Sequence, residues 1–115
     1  MNILKIAIVQ PTLYWEQPLK NIENLTILIS QIEENTHLIV LPEMFNTGFS
    51  LRPETFSEKM DGLTISWLKK VSIDTNAAIT GSLMIEEAGK YLNRLVWVED
   101  GEVEDPNSEI SLTEA

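Results

Sequence analysis

Two short apolar runs separated by an amphipathic stretch constrain this chain more than anything else in it. The first, LKIAIVQ at residues 4–10, is short, β-branched and apolar, as a buried strand is. The second, HLIVL at residues 37–41, has the same character. Between them Ile22, Leu25, Leu28, Ile29 and Ile32 recur at three and four, which lines one face of a helix over roughly residues 18–34. Pro18 suits the first turn, and Asn35 suits the end, because asparagine tolerates left-handed backbone. Strand, helix and strand in so short a span make a βαβ unit, hence a parallel pair with a right-handed crossover.

The rest extends this α/β pattern. PTLYWEQP (11–18) and NTGFSLRP (46–53) read as loops. A second helix is expected from about Thr64 to Asn76, with Ile65, Leu68 and Val71 on one face and Thr64 as its cap. AAITGSLMIE (77–86) is a third strand, and EAGK turns the chain into a fourth, YLNRLVWVE (91–99). There Leu92, Arg94, Val96 and Val98 alternate with Tyr91, Asn93, Leu95, Trp97 and Glu99, so strands three and four are expected as an antiparallel hairpin. EDGE (99–102) is a turn centred on Asp-Gly. Apolar periodicity stops after Val103, which gives one domain over 1–103 and an acidic, disordered tail over 104–115.

Charge follows this division. The net charge is −10, and residues 99–115 hold seven acids and no base, leaving 11 acids and 8 bases in residues 1–98. With no basic stripe, nucleic acid is not an expected partner. The N-terminus lacks the basic region and cleavage site of a signal peptide, and no apolar run approaches a membrane span, so no membrane association is expected. The chain contains no cysteine, which removes disulfides, thiolate metal sites and any thiol nucleophile from these residues and fits a cytoplasmic setting.

The second strand ends abruptly in Pro42 and Glu43. In parallel α/β sheets, sites form at the carboxyl ends of strands. A rim there that is poor in water would suit Glu43 to take a proton near neutrality. The plainer reading is a solvated loop acid, or one that caps a nearby loop. Local pattern leaves both open, since one carboxylate is not a site.

A wider context adds to this. KIAIVQPTLYWEQPLKNIENL, then LIVLPEMFNTGFS, then ITGSLMI and YLNRLVWVEDGE, together resemble the nitrilase, or carbon–nitrogen hydrolase, superfamily, and within it the omega-amidase branch. The likeness covers about residues 4–103 in family order. It implies an αββα sandwich, usually dimeric, that hydrolyses C–N bonds other than peptide bonds through a glutamate, a lysine and a cysteine. Glu43 stands where the family's LPE-type glutamate stands, which implies that it is the general base for the thiol. The family's lysine follows the DGE turn, whereas here VEDPNSEISLTEA follows it and no lysine occurs after Lys90. The expectation is therefore an incomplete sandwich, a truncated or frameshifted product inactive by itself. Full-length relatives are expected to act on small-molecule amides such as 2-oxoglutaramate without a cofactor. The alternative is a non-catalytic interaction module that binds a partner or self-associates.

Other residues carry weaker signals. His37, the one histidine, is expected to be structural. Asp61, Asp74, Asp100 and Asp105 are scattered, so no metal site is expected. Gly48, Gly62, Gly81, Gly89 and Gly101 form no phosphate-binding pattern. Gly48 and Phe49 line a pocket mouth or form a plain turn. Trp15, Trp67 and Trp97 lie far apart, with at least one in the core. Asn93 and Arg94 are placed to tie the hairpin to the Glu43 loop.

Overall fold

The computed structural model describes residues 3–104 and 111–114, the last four by backbone alone. In chain order the elements are β1 (Ile6–Ile8), α1 (Pro18–Ile29), β2 (Leu38–Val40), α2 (Pro53–Phe56), α3 (Leu63–Thr75), β3 (Ala78–Glu87), β4 (Lys90–Glu99), β5 (Glu102–Val103) and β6 (Ser111–Glu114). They build a single mixed sheet in the order β1-β2-β3-β4-β5, with β6 pairing a separate stretch of β4. β1, β2 and β3 run parallel, and β3 and β4 form the antiparallel hairpin.

Most of the expected elements are present, with instructive shifts. α1 stops at Ile29 instead of reaching residue 34, because the next N–H groups bond three residues back: Gln31 to Leu28 O and Ile32 to Ile29 O. Such i→i−3 bonds tighten the chain out of the α-helix. Ile32 still packs on the core, so the apolar period runs past the helix that produced it. Asn35 does adopt left-handed backbone (φ 68°), but in the turn before β2 rather than as the cap of α1. α3 ends as expected on left-handed Asn76, but it begins at Leu63 after Gly62. Thr64 is therefore inside the helix, and its N–H donates to the Glu58 carboxylate (2.8 Å), which caps the helix from outside it. Residues 111–114 form strand β6, with Leu92 opposite Glu114, so this part of the expected disordered tail is strand. The expectation for residues 105–110 and 115 lies outside the described residues.

The core occupies one face of the sheet. Leu25 and Ile29 of α1 and Ile65, Leu68 and Val71 of α3 pack against Ile39, Ile79, Leu83, Ile85, Val96 and Val98 of the strands. Registers such as Ile79↔Val98 and Gly81↔Val96 place these strand residues on a common face. The opposite face has no helix layer among the described residues. Ile6, Ile8, Leu95 and Trp97 remain 50, 67, 38 and 37 % exposed there. The first strand is thus an exposed edge, not the buried strand its composition suggests. Apolar content fits it for a covered position that these residues do not themselves provide.

Gly81 decides how closely the chain beyond β2 approaches β3. A Cβ at this position would lie 2.9 Å from both Leu41 Cβ and Phe45 Cδ2. Gly81→Ala is expected to destabilise the fold by about 1–3 kcal/mol through overpacking, as read from urea denaturation.

Candidate functional site

Glu43 sits on a turn that is bonded along its length. Past β2 the chain does not leave the sheet. Leu41 N–H donates to Thr80 O (2.8 Å) and Phe45 N–H to Ser82 O (3.1 Å), while Met44 N–H donates to the Ser82 hydroxyl (2.9 Å). Met44 takes left-handed backbone (φ 49°), and its carbonyl accepts from Thr47 N–H (3.2 Å) and Gly48 N–H (2.8 Å). Phe45, fully buried, plugs the turn into the core and lies 6.1 Å from the Trp67 ring.

Two further elements grip the turn. Asn21 of α1 donates through Nδ2 to Asn46 O (2.9 Å) and to Tyr14 O (2.7 Å), and its Oδ1 accepts from Tyr14 N–H (2.7 Å). Asn46 Nδ2 reaches the Glu58 carboxylate (3.2 Å) and Thr64 Oγ1 (3.3 Å), and the Thr64 hydroxyl also bonds Glu58. One carboxylate therefore joins the Glu43 turn to the start of α3. Asn46 Oδ1 is buried without a hydrogen-bond partner among the described residues.

Glu43 itself is exposed, and among the described residues its carboxylate makes no hydrogen bond or ion pair. The water-poor rim expected from the sequence is absent here. The result is a solvated acid on a rigid support. Arg94, with its side chain 8 % exposed, pairs with Glu87 at the end of β3. Asn93 stands opposite Met84 and makes no hydrogen bond to the Glu43 turn among the described residues.

The remaining sequence candidates have structural roles. His37 Nδ1 accepts from Lys5 N–H (2.9 Å), and its carbonyl accepts from Ala78 N–H (2.9 Å), so it joins three strands' beginnings. Trp67 packs partly buried on the core. Gly48, with φ 71°, closes the Glu43 turn, and Phe49 beside it is 71 % exposed. Among the described residues no group of three or more His, Asp and Glu side chains could hold a metal ion. No helix among them is long and apolar enough to cross a membrane.

The sequence reading missed Asn21, Glu58, Glu16 and Arg52. Asn21 had a signal: it shares the buried stripe Asn21–Leu25–Ile29, where a polar residue needs partners. Glu16 and Arg52 are 36 residues apart and have none. Arg52 donates Nε–H and Nη2–H to the two Glu16 oxygens (3.0 and 2.7 Å), and Ser50 Oγ adds a third bond (2.7 Å). The bonded Arg52 guanidinium outweighs the cost of burial and, with Ser50, holds the Glu16 carboxyl below its ordinary value of 4.5. A carboxyl lowered in the native state adds stability above that ordinary value and loses it as pH falls through the lower native one. The melting temperature of Glu16→Gln is expected to lie below that of the unaltered chain at pH 7. This gap should close as the pH drops below 4.5, in thermal denaturation at constant ionic strength.

Comparison with known proteins gives a consistent set of likenesses. The family model for carbon-nitrogen hydrolase matches residues 5–111. Omega-amidase YafV of Yersinia enterocolitica is 33% identical over 110 residues, covering 90% of this chain and 40% of that protein. Omega-amidase YafV of Escherichia coli (strain K12) is 31% identical over 98 residues, or 85% of this chain and 38% of that one. The crystal structure of XC1258 from Xanthomonas campestris, a CN-hydrolase superfamily protein with an arsenic adduct in its active site, superposes with a TM-score of 0.85. It is 32% identical and covers 90% of this chain and 40% of its own. Nit3 of Saccharomyces cerevisiae, of the nitrilase superfamily, shares the fold at 22% identity and a TM-score of 0.82, covering 94% of this chain and 43% of its own. The chain spans about two-fifths of the length of the curated relatives it matches.

Proposed function

The chain belongs to the carbon–nitrogen hydrolase family, and from that premise we propose that it is the N-terminal portion of an omega-amidase-like hydrolase. In this proposal the whole enzyme removes the terminal amide of small acids such as 2-oxoglutaramate, and Glu43 is its general base. The observation that carries the reading is the turn after β2, fixed by Ser82, Asn21 and Glu58, which ends a strand on a carboxylate. The base takes a thiol proton, and the thiolate attacks the amide carbon. The proton passes to the departing nitrogen, ammonia leaves, and water then releases the acid from the thioester. A cation steadies the oxyanion between these steps. The setting of this chemistry is the cytoplasm, with which a cysteine-free stretch is compatible.

These 115 residues hold neither a cysteine nor a lysine beyond Lys90. A base with no nucleophile to activate completes no step of this reaction. Ammonia release from short omega-amides by the 115-residue chain is therefore expected to be absent. Turnover that disappears on Glu43→Gln, in protein free of contaminating amidase, would contradict the proposal.

A second reading is favoured by the open sheet face with Ile6, Ile8, Leu95 and Trp97 exposed. In it the chain is a non-catalytic module that associates through this face, with itself or with a full-length relative. Contiguous apolar surface of this kind drives association. Size-exclusion chromatography is expected to show species larger than the 13.0 kDa monomer, reverting toward monomer on Trp97→Glu. A compact monomer with a cooperative thermal transition counts against this second reading.

A further inference from the structure

Glu43 has no partner of its own among the described residues, so its position is set by whatever holds its turn. The core side of that turn is held by Ser82, Asn21 and Glu58. Its outer side meets the loop that follows β1, and there the contacts converge on one residue. Glu16 N–H donates to Thr47 O (2.7 Å), and its carboxylate collects Ser50 Oγ–H and two N–H groups of Arg52. Trp15 Nε1–H donates to Phe49 O (2.7 Å). Thr47, Phe49 and Ser50 are thus each bonded to Trp15 or Glu16.

Two features mark Glu16 as more than a surface ion-pair partner. Its side chain is 6 % exposed, against 56 % for Arg52. Its backbone is left-handed (φ 54°), a conformation disfavoured for a residue with a side chain and retained only where the surroundings enforce it. The charges around the pair are accounted for. Glu54 acts electrostatically on Arg52, the Arg52 guanidinium covers the Phe56 ring at 5.1 Å, and Lys20 lies over the Tyr14 ring at 4.2 Å.

We infer that Glu16 is a positioning residue for Glu43: its carboxylate fastens the segment from Thr47 to Arg52 against the loop after β1 and so fixes the turn that carries the base. The grip passes to the turn through Thr47 N–H and Gly48 N–H, which both donate to the carbonyl of Met44, the residue after Glu43. A carboxylate is required because three donors converge on two acceptor oxygens. Glutamine is nearly isosteric but offers one acceptor and would turn an amide N–H toward the guanidinium. The consequence for catalysis rests on the proposed role of Glu43, whereas the clamp itself is observable without turnover.

The test is nuclear magnetic resonance on the 115-residue chain at pH 7. In Glu16→Gln, solvent exchange of the Trp15 indole N–H is expected to rise about tenfold or more, as for the loss of a hydrogen bond to a charged group. The Thr47 and Gly48 amides and the Glu43 carboxyl carbon should shift with it. The amides of the β3–β4 ladder between Leu92 and Val98, which lie outside the turn, should not change. Arg52→Lys keeps the charge but loses the two-pronged contact, and should give the same pattern at smaller amplitude. This second variant alters a half-exposed side chain and decides the matter if Glu16→Gln does not fold. Unchanged Trp15, Thr47, Gly48 and Glu43 signals would overturn the inference. So would equal acceleration at Trp15 and at the β3–β4 ladder amides, which marks general loosening. Failure of the amidase reading would appear only in the ammonia assay, and leaves these signals unaffected.

Discussion

The contact between the Glu43 turn and β3 underlies the rest of the structure. A chain leaving a short strand ordinarily departs into solvent, but here Leu41, Met44 and Phe45 all donate backbone N–H groups to β3. The approach is possible because residue 81 has no side chain, and Leu41 Cβ and Phe45 occupy the space a Cβ would need. Once Phe45 is buried, Asn46 is carried under α1 and α3, where its carbonyl and amide meet Asn21 and Glu58. Buried polar groups must find partners, so the packing of one aromatic ring commits the hydrogen bonds around it. The carboxylate of Glu43 makes no hydrogen bond or ion pair among the described residues and is exposed.

The order and type of the main elements were legible because their signals are local. The spacing of Leu25 and Ile29 marks α1, the alternation through Val96 and Val98 marks β4, and Asp100-Gly101 marks the turn after it. The misplacements share a cause, which is that the deciding partner is distant in sequence. Thr64 looks like a cap, but the helix begins one residue earlier and Glu58 accepts from Thr64's own N–H. The end of α1 depends on a tightening of the chain that the apolar period does not register. The four residues of α2, introduced by Pro53, had no periodicity to announce them. At the site, Glu43 was visible as a carboxylate closing an apolar strand, and its exposure agrees with the plainer reading of a solvated loop acid. The residues that hold its turn come from five separate segments of the chain.

The two faces of the sheet tell different stories about completeness. The helix-bearing face buries Ile39, Ile79, Leu83, Ile85, Val96 and Val98 essentially fully. The other face is apolar in composition yet open, with Ile8 67 % exposed. The carbon-nitrogen hydrolase relatives are matched over about two-fifths of their length, so the likeness covers the helix-bearing side of this sheet and the Glu43 turn.

The claim that the Glu43 turn is held by its bonds to β3 can be tested without any reaction. Amide hydrogen exchange in the 115-residue chain reads the three bonds from the turn to β3 directly. The account predicts that the amides of Leu41, Met44 and Phe45 exchange as slowly as those of the β3–β4 ladder, since they open only with the sheet. Exchange of these three amides at the rate of an unstructured peptide, with the ladder still protected, would show that the turn is not held and contradict it.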